Sequence, residues 1–278
     1  MSGDFLAGMA ASSRARCAAA RAAEPEAALR ARALATPPAP RLALDGRFDL
    51  IAEVKLRSPA AGQLRGGDED VAARVAAYAG AGAAAVSVLT EPTRFDGSLE
   101  HLGLAVRALA GRIPAMRKDF LVDPYQLLEA RAAGAGGALV ILRMLPRDAI
   151  EALLATAREL ALFVLLEAFD EQDLELAHAL VAAHAPAARA AGAPLLVGLN
   201  CRDLVTLKVV PGRLEALAAR LPAGAPRVAE SGVGSAADAA RVAAAGYQLA
   251  LVGSALMTAP DPLALVADML RAGRGGRT

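Results

Sequence analysis

One pattern recurs eight times between residues 50 and 254 of this 278-residue chain. A short apolar run is followed by turn residues and then by a segment rich in Ala, Leu and Arg with helical spacing. The runs begin roughly 20 to 35 residues apart, which is the length of one strand plus one helix. The eight runs are LIAEVK (50–55), AAVSVLT (84–90), IPAMRK (113–118), ALVILR (138–143), LFVLLE (162–167), LLVGLN (195–200), PRVAES (226–231) and LALVGS (249–254).

Strands that alternate with helical segments indicate βαβ units and a parallel sheet. The runs are apolar throughout, which is typical of strands buried on both faces. Eight units in about 205 residues therefore predict an α/β fold of the (β/α)8 or TIM-barrel type. The alternative is a doubly wound open sheet, which usually carries a glycine-rich phosphate loop after its first strand. This chain has EVKLRSPAAG (53–62) there instead.

The segments on either side set the limits of the barrel. Residues 1–45 are rich in Arg and Ala and predict an N-terminal helical extension, interrupted by the prolines of TPPAP (36–40). Residues 46–270 are predicted to form the barrel domain that carries the site. Residues 271–278, RAGRGGRT, are predicted to be a flexible tail.

Composition argues against several classes of function. The formal net charge is +1 and aromatic residues make up 3% of the chain, so neither nucleic acid nor a membrane surface is expected as a partner. No run of 18 apolar residues occurs. The two cysteines, Cys17 and Cys201, are far apart, which indicates a reducing, cytoplasmic compartment. No His/Cys spacing typical of a metal site is present, and no cofactor is expected.

Nearly every apolar run ends in a polar residue. In a barrel these ends meet at the C-terminal face, where such enzymes build their sites. The sequence therefore predicts one polar pocket above an apolar floor. The polar ends are Lys55, Thr90, Lys118, Arg143, Glu167, Asn200, Glu230–Ser231 and Gly253–Ser254.

Two of these ends are lysines, in a chain where only three of thirty basic residues are lysine. An ammonium can exchange a proton, whereas a guanidinium stays charged. Glu53 and Lys55 are two residues apart, so they point to the same face of a strand. Burial and a second positive charge at Lys118 are expected to lower the lysine pKa values, which suits a general acid or a nucleophile. A purely structural ion pair is the alternative.

Small residues follow three of the strands. Ser58–Pro59 follows the first, SGVGSAAD (231–238) the seventh and GSALM (253–257) the eighth. Such loops let backbone N–H groups approach an oxyanion, and barrels often hold phosphate after strands 7 and 8. A helix cap would give the same residues.

Other polar and aromatic residues supplement the pocket. Asn200 and Arg202 can hold substrate hydroxyl or carboxylate groups through directional donors. Cys201 is interpreted as a packing residue, because no histidine accompanies it locally. Phe95 and Phe120 could cover an aromatic substrate, although core packing is the commoner role of phenylalanine.

Longer strings around these residues resemble the indole-3-glycerol phosphate synthase family, in the right order and from about residue 48 to 262. RKDF followed by DPYQ, and N-x-RDL, are the most specific. The strings are IAEVKLRSPAAG (51–62), VSVLTEPTRFDGSLEHL (86–102), RKDFLVDPYQLLEARAAGA (117–135), LLEAFDEQDL (165–174), VGLNCRDLVTLKV (197–209), VAESGV (228–233) and LVGSALM (251–257).

The resemblance implies a cofactor-free carbon–carbon lyase of tryptophan biosynthesis. Its substrate would be the phosphosugar 1-(2-carboxyphenylamino)-1-deoxyribulose 5-phosphate. By the family pattern Lys118 is the general acid, Lys55 holds the carboxylate and serves the dehydration, and Glu167 is the base. Glu53, Asn200 and Glu230 complete the catalytic set. The implied substrate-binding residues are Arg202 and Ser231, then Ser58, Gly232, Gly253 and Ser254 for phosphate, and Phe95, Phe120 and Leu139 for the aryl ring.

The chain departs from the family pattern at three places: Ala60–Ala61 after Ser-Pro, Cys201 in place of the second Asn of NNRDL, and Phe169 in place of a histidine. Other readings stay open at this level. They are a phosphosugar isomerase, an aldolase that forms a Schiff base on Lys118, a paralogue serving specialised metabolism, and a non-catalytic barrel. Whether the protein docks to other tryptophan-pathway enzymes is also left open.

Overall fold

A computed structural model describes residues 2–66 and 69–275. Eight parallel strands form a closed barrel in which each strand pairs with the next along the chain and the last pairs with the first. The predicted (β/α)8 barrel is therefore confirmed, as is the helical extension before it. The strands are β1 (Asp49–Val54), β2 (Ala85–Leu89), β3 (Ala115–Lys118), β4 (Gly137–Ile141), β5 (Phe163–Ala168), β6 (Leu195–Asn200), β7 (Arg227–Glu230) and β8 (Leu249–Val252).

Helices connect these strands and cover the outside of the barrel. Asp70, Ser98, Asp123, Asp170, Ser235 and Asp261 each accept a backbone N–H at a helix start, which explains where those helices begin. The helices are α1 (Ser2–Ala23), α2 (Glu26–Ala35), α3 (Val71–Gly80), α4 (Pro92–Phe95), α5 (Leu99–Leu109), α6 (Pro124–Ala132), α7 (Arg147–Glu159), α8 (Glu171–Ala190), α9 (Arg213–Ala218), α10 (Ala236–Ala244), α11 (Ser254–Thr258) and α12 (Pro262–Gly273).

Two short elements modify the loops at the C-terminal face. The β1 loop contains an antiparallel pair of two-residue strands, Arg57–Ser58 and Gly62–Gln63. A 3-10 turn, Leu142–Met144, follows β4. Both lie in loops that surround the barrel mouth, so they shape the rim of the predicted pocket.

Apolar side chains fill two layers. The outer layer lies between the strands and the helices. The inner layer fills the barrel, and Met116, Phe163, Leu165 and Leu249 are among its buried members. This inner layer closes the lower end of the barrel, because Phe163 occupies the position that a Cβ on Gly137 would need, at 2.4 Å. A site at the upper end therefore has the predicted apolar floor.

The predicted tail begins three residues too early. Helix α12 continues through Gly273, and the Nε of Arg274 donates to the carbonyl of Phe48 at 2.9 Å, with a further ion pair to Asp49. These bonds hold the chain end against the lower rim of the barrel. The last part of the predicted tail, residues 276–278, lies outside the described residues. Within the described residues, no helix combines the length and the apolar character needed to cross a membrane.

Candidate active site

All fifteen residues predicted for the site line one cavity of about 1090 Å³, open to solvent, at the C-terminal face of the barrel. The sheet register explains why they meet. Strand β6 ends with Asn200 beside Glu230 of β7, and Ile141 of β4 pairs with Glu167 of β5. Residues 26 and 30 positions apart in sequence are thus brought together by strand pairing alone. The structure therefore gathers the predicted set, while the role of each member stays a proposal.

Three charged groups form the first cluster of the site. Glu53 is 2% exposed and forms ion pairs with both lysines. Lys55 Nζ lies 2.5 Å from its Oε1, and Lys118 Nζ lies 3.6 Å from its Oε2. A buried carboxylate needs such partners because desolvation of an isolated charge is costly. Glu53 thus holds one ammonium group near each of its two carboxylate oxygens.

The pKa of Lys118 moves in the direction opposite to the one predicted from sequence. Burial acts to lower the pKa of its ammonium, but the negative charges of nearby carboxylates, that of Glu53 first, outweigh burial and raise it above the ordinary lysine value. The sequence pattern identified the burial but not the number of carboxylates around Lys118. The lysine therefore carries its proton at neutral pH.

The two lysines shift the pKa of Glu53 in the opposite direction. Burial tends to raise the pKa of Glu53, but Lys55 and Lys118 lower it below the usual glutamate value. Glu53 is therefore ionised at neutral pH. Its negative charge keeps Lys118 protonated, since each ionised partner stabilises the other.

A second cluster contains Glu167, Asn200 and Glu230. The Nδ2 of Asn200 donates to Glu167 Oε1 at 2.7 Å, while the Asn200 Oδ1 accepts the backbone N–H of Arg202 at 3.0 Å. Glu230 is 1% exposed, and neither of its carboxylate oxygens bonds to another described residue. Burial and the nearby Glu167 carboxylate raise the pKa of Glu230 well above the usual glutamate value. The raised pKa keeps the proton on Glu230 to higher pH than on an exposed glutamate.

Two glycines, one on β6 and one just after β8, make room for these carboxyl groups. A Cβ on Gly198 of β6 would lie 2.0 Å from Glu230 Oε1. A Cβ on Gly253, just after β8, would lie 2.1 Å from Glu53 Oε1 and 2.8 Å from Lys55 Nζ. All three distances are well inside van der Waals contact, so any other residue at either position would displace a carboxyl group of the site.

Apolar side chains form the opposite wall of the cavity. The rings of Phe95 and Phe120 have centroids 6.1 Å apart, and Leu139 of β4 lies with them among the cavity-lining residues. Phe5 of α1 meets Phe120 edge-on at 6.0 Å, and Leu6 lines the cavity beside it. Sequence reasoning missed Phe5 and Leu6, because nothing in the pattern of α1 indicates that its first turns reach across the barrel mouth.

Phe169 is another wall residue that was not placed in the site from sequence. It follows Glu167 by two positions, so both side chains point into the cavity. The guanidinium of Arg143 stacks over its ring at 4.8 Å from the centroid, and Asp173 accepts its backbone N–H at 2.8 Å. The spacing of two from a catalytic candidate is the signal that could have identified it.

The small-residue loops form the remaining side of the cavity. Ser231 and Gly232 have left-handed backbones, with φ of +64° and +69°. The buried thiol of Cys201 donates to the Ser231 carbonyl at 3.2 Å, which holds this turn from below and agrees with its interpretation as a packing residue. Ser58 Oγ accepts the N–H of Ala61 at 3.1 Å, and Ser254 begins α11.

Two of the polar strand ends do not reach the cavity. Thr90 donates to Asp119 at 2.8 Å and accepts from the Arg117 Nε at 3.1 Å, on the outer side of the sheet. Arg143 binds Asp173 and Asp170 at the start of α8. The prediction that all eight ends converge in one pocket is therefore wrong for these two, because residues 90 and 143 turn outward after their strands.

The closed barrel and its mouth of paired lysines and glutamates define a (β/α)8-barrel enzyme site. The family model for indole-3-glycerol phosphate synthase matches residues 9–269. A relative from Rhodococcus jostii (strain RHA1), named indole-3-glycerol phosphate synthase, is 41% identical over 250 residues, covering 89% of this chain and 87% of its own. The relative of that name from Parafrankia sp. (strain EAN1pec) is 45% identical, covering 82% and 79%. The chain belongs to the indole-3-glycerol phosphate synthase family.

Solved structures agree on the fold. The 3-hexulose-6-phosphate synthase of Salmonella typhimurium has a TM-score of 0.59 at 15% identity, covering 83% of this chain and all of that one. At 15% sequence identity, this similarity supports the barrel fold and says nothing about the reaction.

Proposed function

We propose that this protein is an indole-3-glycerol phosphate synthase. It converts 1-(2-carboxyphenylamino)-1-deoxyribulose 5-phosphate into indole-3-glycerol phosphate, CO2 and water, as a step of tryptophan biosynthesis. One observation carries the proposal: Lys55, Lys118 and Glu167 line one cavity together with an aromatic wall and two serine–glycine loops. A substrate with a carboxylate, an aryl ring and a phosphate requires these three kinds of surface.

Ring closure begins at Lys118. The ring carbon that bears the carboxylate attacks the ketone carbon, a C–C bond forms, and the ketone oxygen takes a proton from the Lys118 ammonium. That oxygen becomes strongly basic as the bond forms, so it can accept a proton even from a lysine whose pKa is raised. General acid catalysis of this kind is typically worth about 10²–10⁴ in rate.

Loss of CO2 then restores the aromatic ring. The electron pair of the breaking C–C bond returns to the ring and neutralises the iminium formed by the attack. Glu167 stabilises this positive charge, because its carboxylate is held in place by Asn200 at 2.7 Å. Dehydration follows: the new hydroxyl leaves as water with a proton from Lys55, while Glu167 accepts the proton lost from carbon.

The substrate is held at three places. Lys55 binds the carboxylate, and Phe95, Phe120 and Leu139 contact the aryl ring. Ser231, Gly232, Gly253 and Ser254 bind the phosphate through backbone N–H and hydroxyl groups, with Ser58 on the β1 loop. The left-handed turn at Ser231–Gly232 supports this assignment, because such turns direct successive N–H groups to one point.

The proposal extends to location and partners. A cytoplasmic location is supported by Cys17 and Cys201, which are both free thiols. Docking to other enzymes of the pathway is supported by Val205 and Val209, which are 52% and 39% exposed in the loop after β6, next to the cavity-lining Leu204 and Leu207.

Product formation provides a direct test. The chain contains no Trp, so indole fluorescence that develops with authentic substrate reports the product and not the protein. We expect steady development of indole fluorescence without added metal or cofactor. A folded protein that produces none contradicts the proposal. Borohydride treatment with substrate separates the aldolase alternative, because only a Schiff base would be trapped on Lys118.

A further inference from the structure

Asp119 lies between Lys118 and Phe120, and all three residues border the cavity. The Asp119 carboxylate differs from its neighbours because it is fully buried and paired with Arg16 of α1. It accepts two bonds from Arg16 of α1, at 3.0 and 2.8 Å, and one from Thr90 at 2.8 Å. Arg117 and the backbone N–H of Phe120 also donate to it, at 3.2 and 2.8 Å.

These five hydrogen bonds fix the wall from behind. Arg16 and the buried Arg117 lower the pKa of Asp119 to about 2, against the effect of burial, so the carboxylate is charged at any physiological pH. Fork-shaped bonds from a guanidinium to a carboxylate fix orientation as well as distance. Asp119 therefore holds the backbone on which Lys118 and Phe120 are carried.

The same carboxylate also seats helix α1. The first turns of α1 carry Phe5 and Leu6, which complete the aromatic wall, and Phe5 meets Phe120 edge-on at 6.0 Å. Arg16, Phe5 and Leu6 belong to the same helix, so the Arg16 contact helps to set where Phe5 and Leu6 lie. One ion pair thus joins two parts of the wall that are more than a hundred residues apart in sequence.

We infer that Arg16 and Asp119 are positioning residues that hold the α1 part of the aryl wall in register with Lys118 and Phe120. The inference rests on the proposed function for its kinetic readout. It predicts that loss of the Arg16 contact weakens substrate binding without direct contact between Arg16 and the substrate.

The chain supplies a matched control. Arg21 of α1 makes the same two-bond contact with Asp123, at 2.8 and 2.7 Å, but this pair is more exposed and Asp123 caps α6 rather than lying between cavity residues. Arg16→Met and Arg21→Met each remove one guanidinium–carboxylate contact between α1 and the segment after β3. Both are compared at a temperature where circular dichroism shows them fully folded, because Arg16→Met leaves a buried carboxylate with fewer partners.

We expect Arg16→Met to raise KM about tenfold with a smaller change in kcat, since misplacement of a wall by a fraction of an ångström is costly. Arg21→Met should leave KM within about twofold of wild type. When Arg16→Met is combined with Phe5→Ala, the free-energy effects on KM should be less than additive, because both changes disturb the same wall. The effects of Arg21→Met and Phe5→Ala on KM should be additive. Equal KM values for the two arginine variants, or an additive effect of Arg16→Met, would overturn the inference.

Hydrogen exchange tests the same inference without turnover. Arg16→Met should speed amide exchange in residues 5–12 of α1 about tenfold, and Arg21→Met should leave that region unchanged. Unchanged exchange there in Arg16→Met would also refute the inference. A wild-type protein that makes no product would contradict the proposed function, and the exchange result would still decide whether this pair seats α1.

Discussion

The two walls of the cavity are built by different means. The polar wall comes from the ends of β1, β3, β5, β6 and β7, and its members fix one another through ion pairs and an amide hydrogen bond. The apolar wall comes partly from outside the barrel, since Phe5 belongs to α1 and Phe95 to α4. Its members touch only through ring and methyl contacts.

This difference suggests a division of labour. Charged groups at fixed distances act on the reacting atoms, where the direction of a proton or a charge matters. Apolar contacts are not directional, so they select and hold the ring. Changes in the polar wall should therefore lower kcat, and changes in the apolar wall should mainly raise KM.

The strongest test of this division is Lys118→Met. It removes the proton donor while keeping a side chain of similar length, and we expect kcat to fall by about 10²–10⁴. Lys118→Arg should be nearly as inactive, because the guanidinium keeps the charge but does not release its proton. The assay is indole fluorescence at saturating substrate, with product binding measured separately.

Lys208 serves as the control for Lys118, since it is the third lysine of the chain and lies exposed in the loop after β6. Lys208→Met should retain wild-type kcat. If Lys118→Arg kept most of the activity, a charge alone would suffice at this position and proton transfer from Lys118 would be refuted.

A smaller effect is expected on the apolar side. Phe120→Leu removes the edge-on contact with Phe5 and the tilted contact with Phe95, and we expect KM to rise about tenfold, or about 1.4 kcal/mol, with kcat little changed. Phe48→Leu, a buried change at the lower end of the barrel, should lower stability without affecting KM. A loss confined to kcat in Phe120→Leu would break the proposed division.

The smallest effect concerns stability and its dependence on pH. The pKa of Glu230 is raised by burial and by Glu167, so the folded state keeps a proton that the unfolded chain has already released above about pH 4.3. By linkage, this group makes the protein less stable as pH rises from there towards the raised pKa. Glu230→Gln cannot titrate, so urea unfolding should show that its stability relative to wild type improves between pH 5 and pH 8.

Glu175→Gln, an exposed change on α8, is measured alongside as the control substitution. A parallel pH dependence for wild type and Glu230→Gln would mean that Glu230 is ionised in the folded protein.

The sequence predicted the polar wall far better than the apolar one. Lysine and glutamate at strand ends are rare enough to be informative, and strand pairing leaves them few places to lie. Phe5 and Leu6 give no such signal, because apolar residues on a helix look the same whether they meet a core or a ligand. The pKa direction of Lys118 was also missed, since it depends on how many carboxylates surround it in space.

The outward turns at Thr90 and Arg143 were missed for a related reason. Each forms bonds with aspartates that come later in the chain, Asp119 and Asp173, and no periodicity reveals such pairings. Strand position predicts which end of the barrel a residue occupies, whereas its final direction depends on partners that only the folded chain supplies.

Gly198 and Gly253 contribute only the absence of a side chain, yet Glu230 and Glu53 occupy that space. Every single-base change of a glycine codon that encodes another amino acid introduces at least one carbon there. The tolerance of this enzyme to random mutation should therefore include sharp minima at these two positions, which bear no reactive group. A survey that ranks positions by chemical functionality would pass over both.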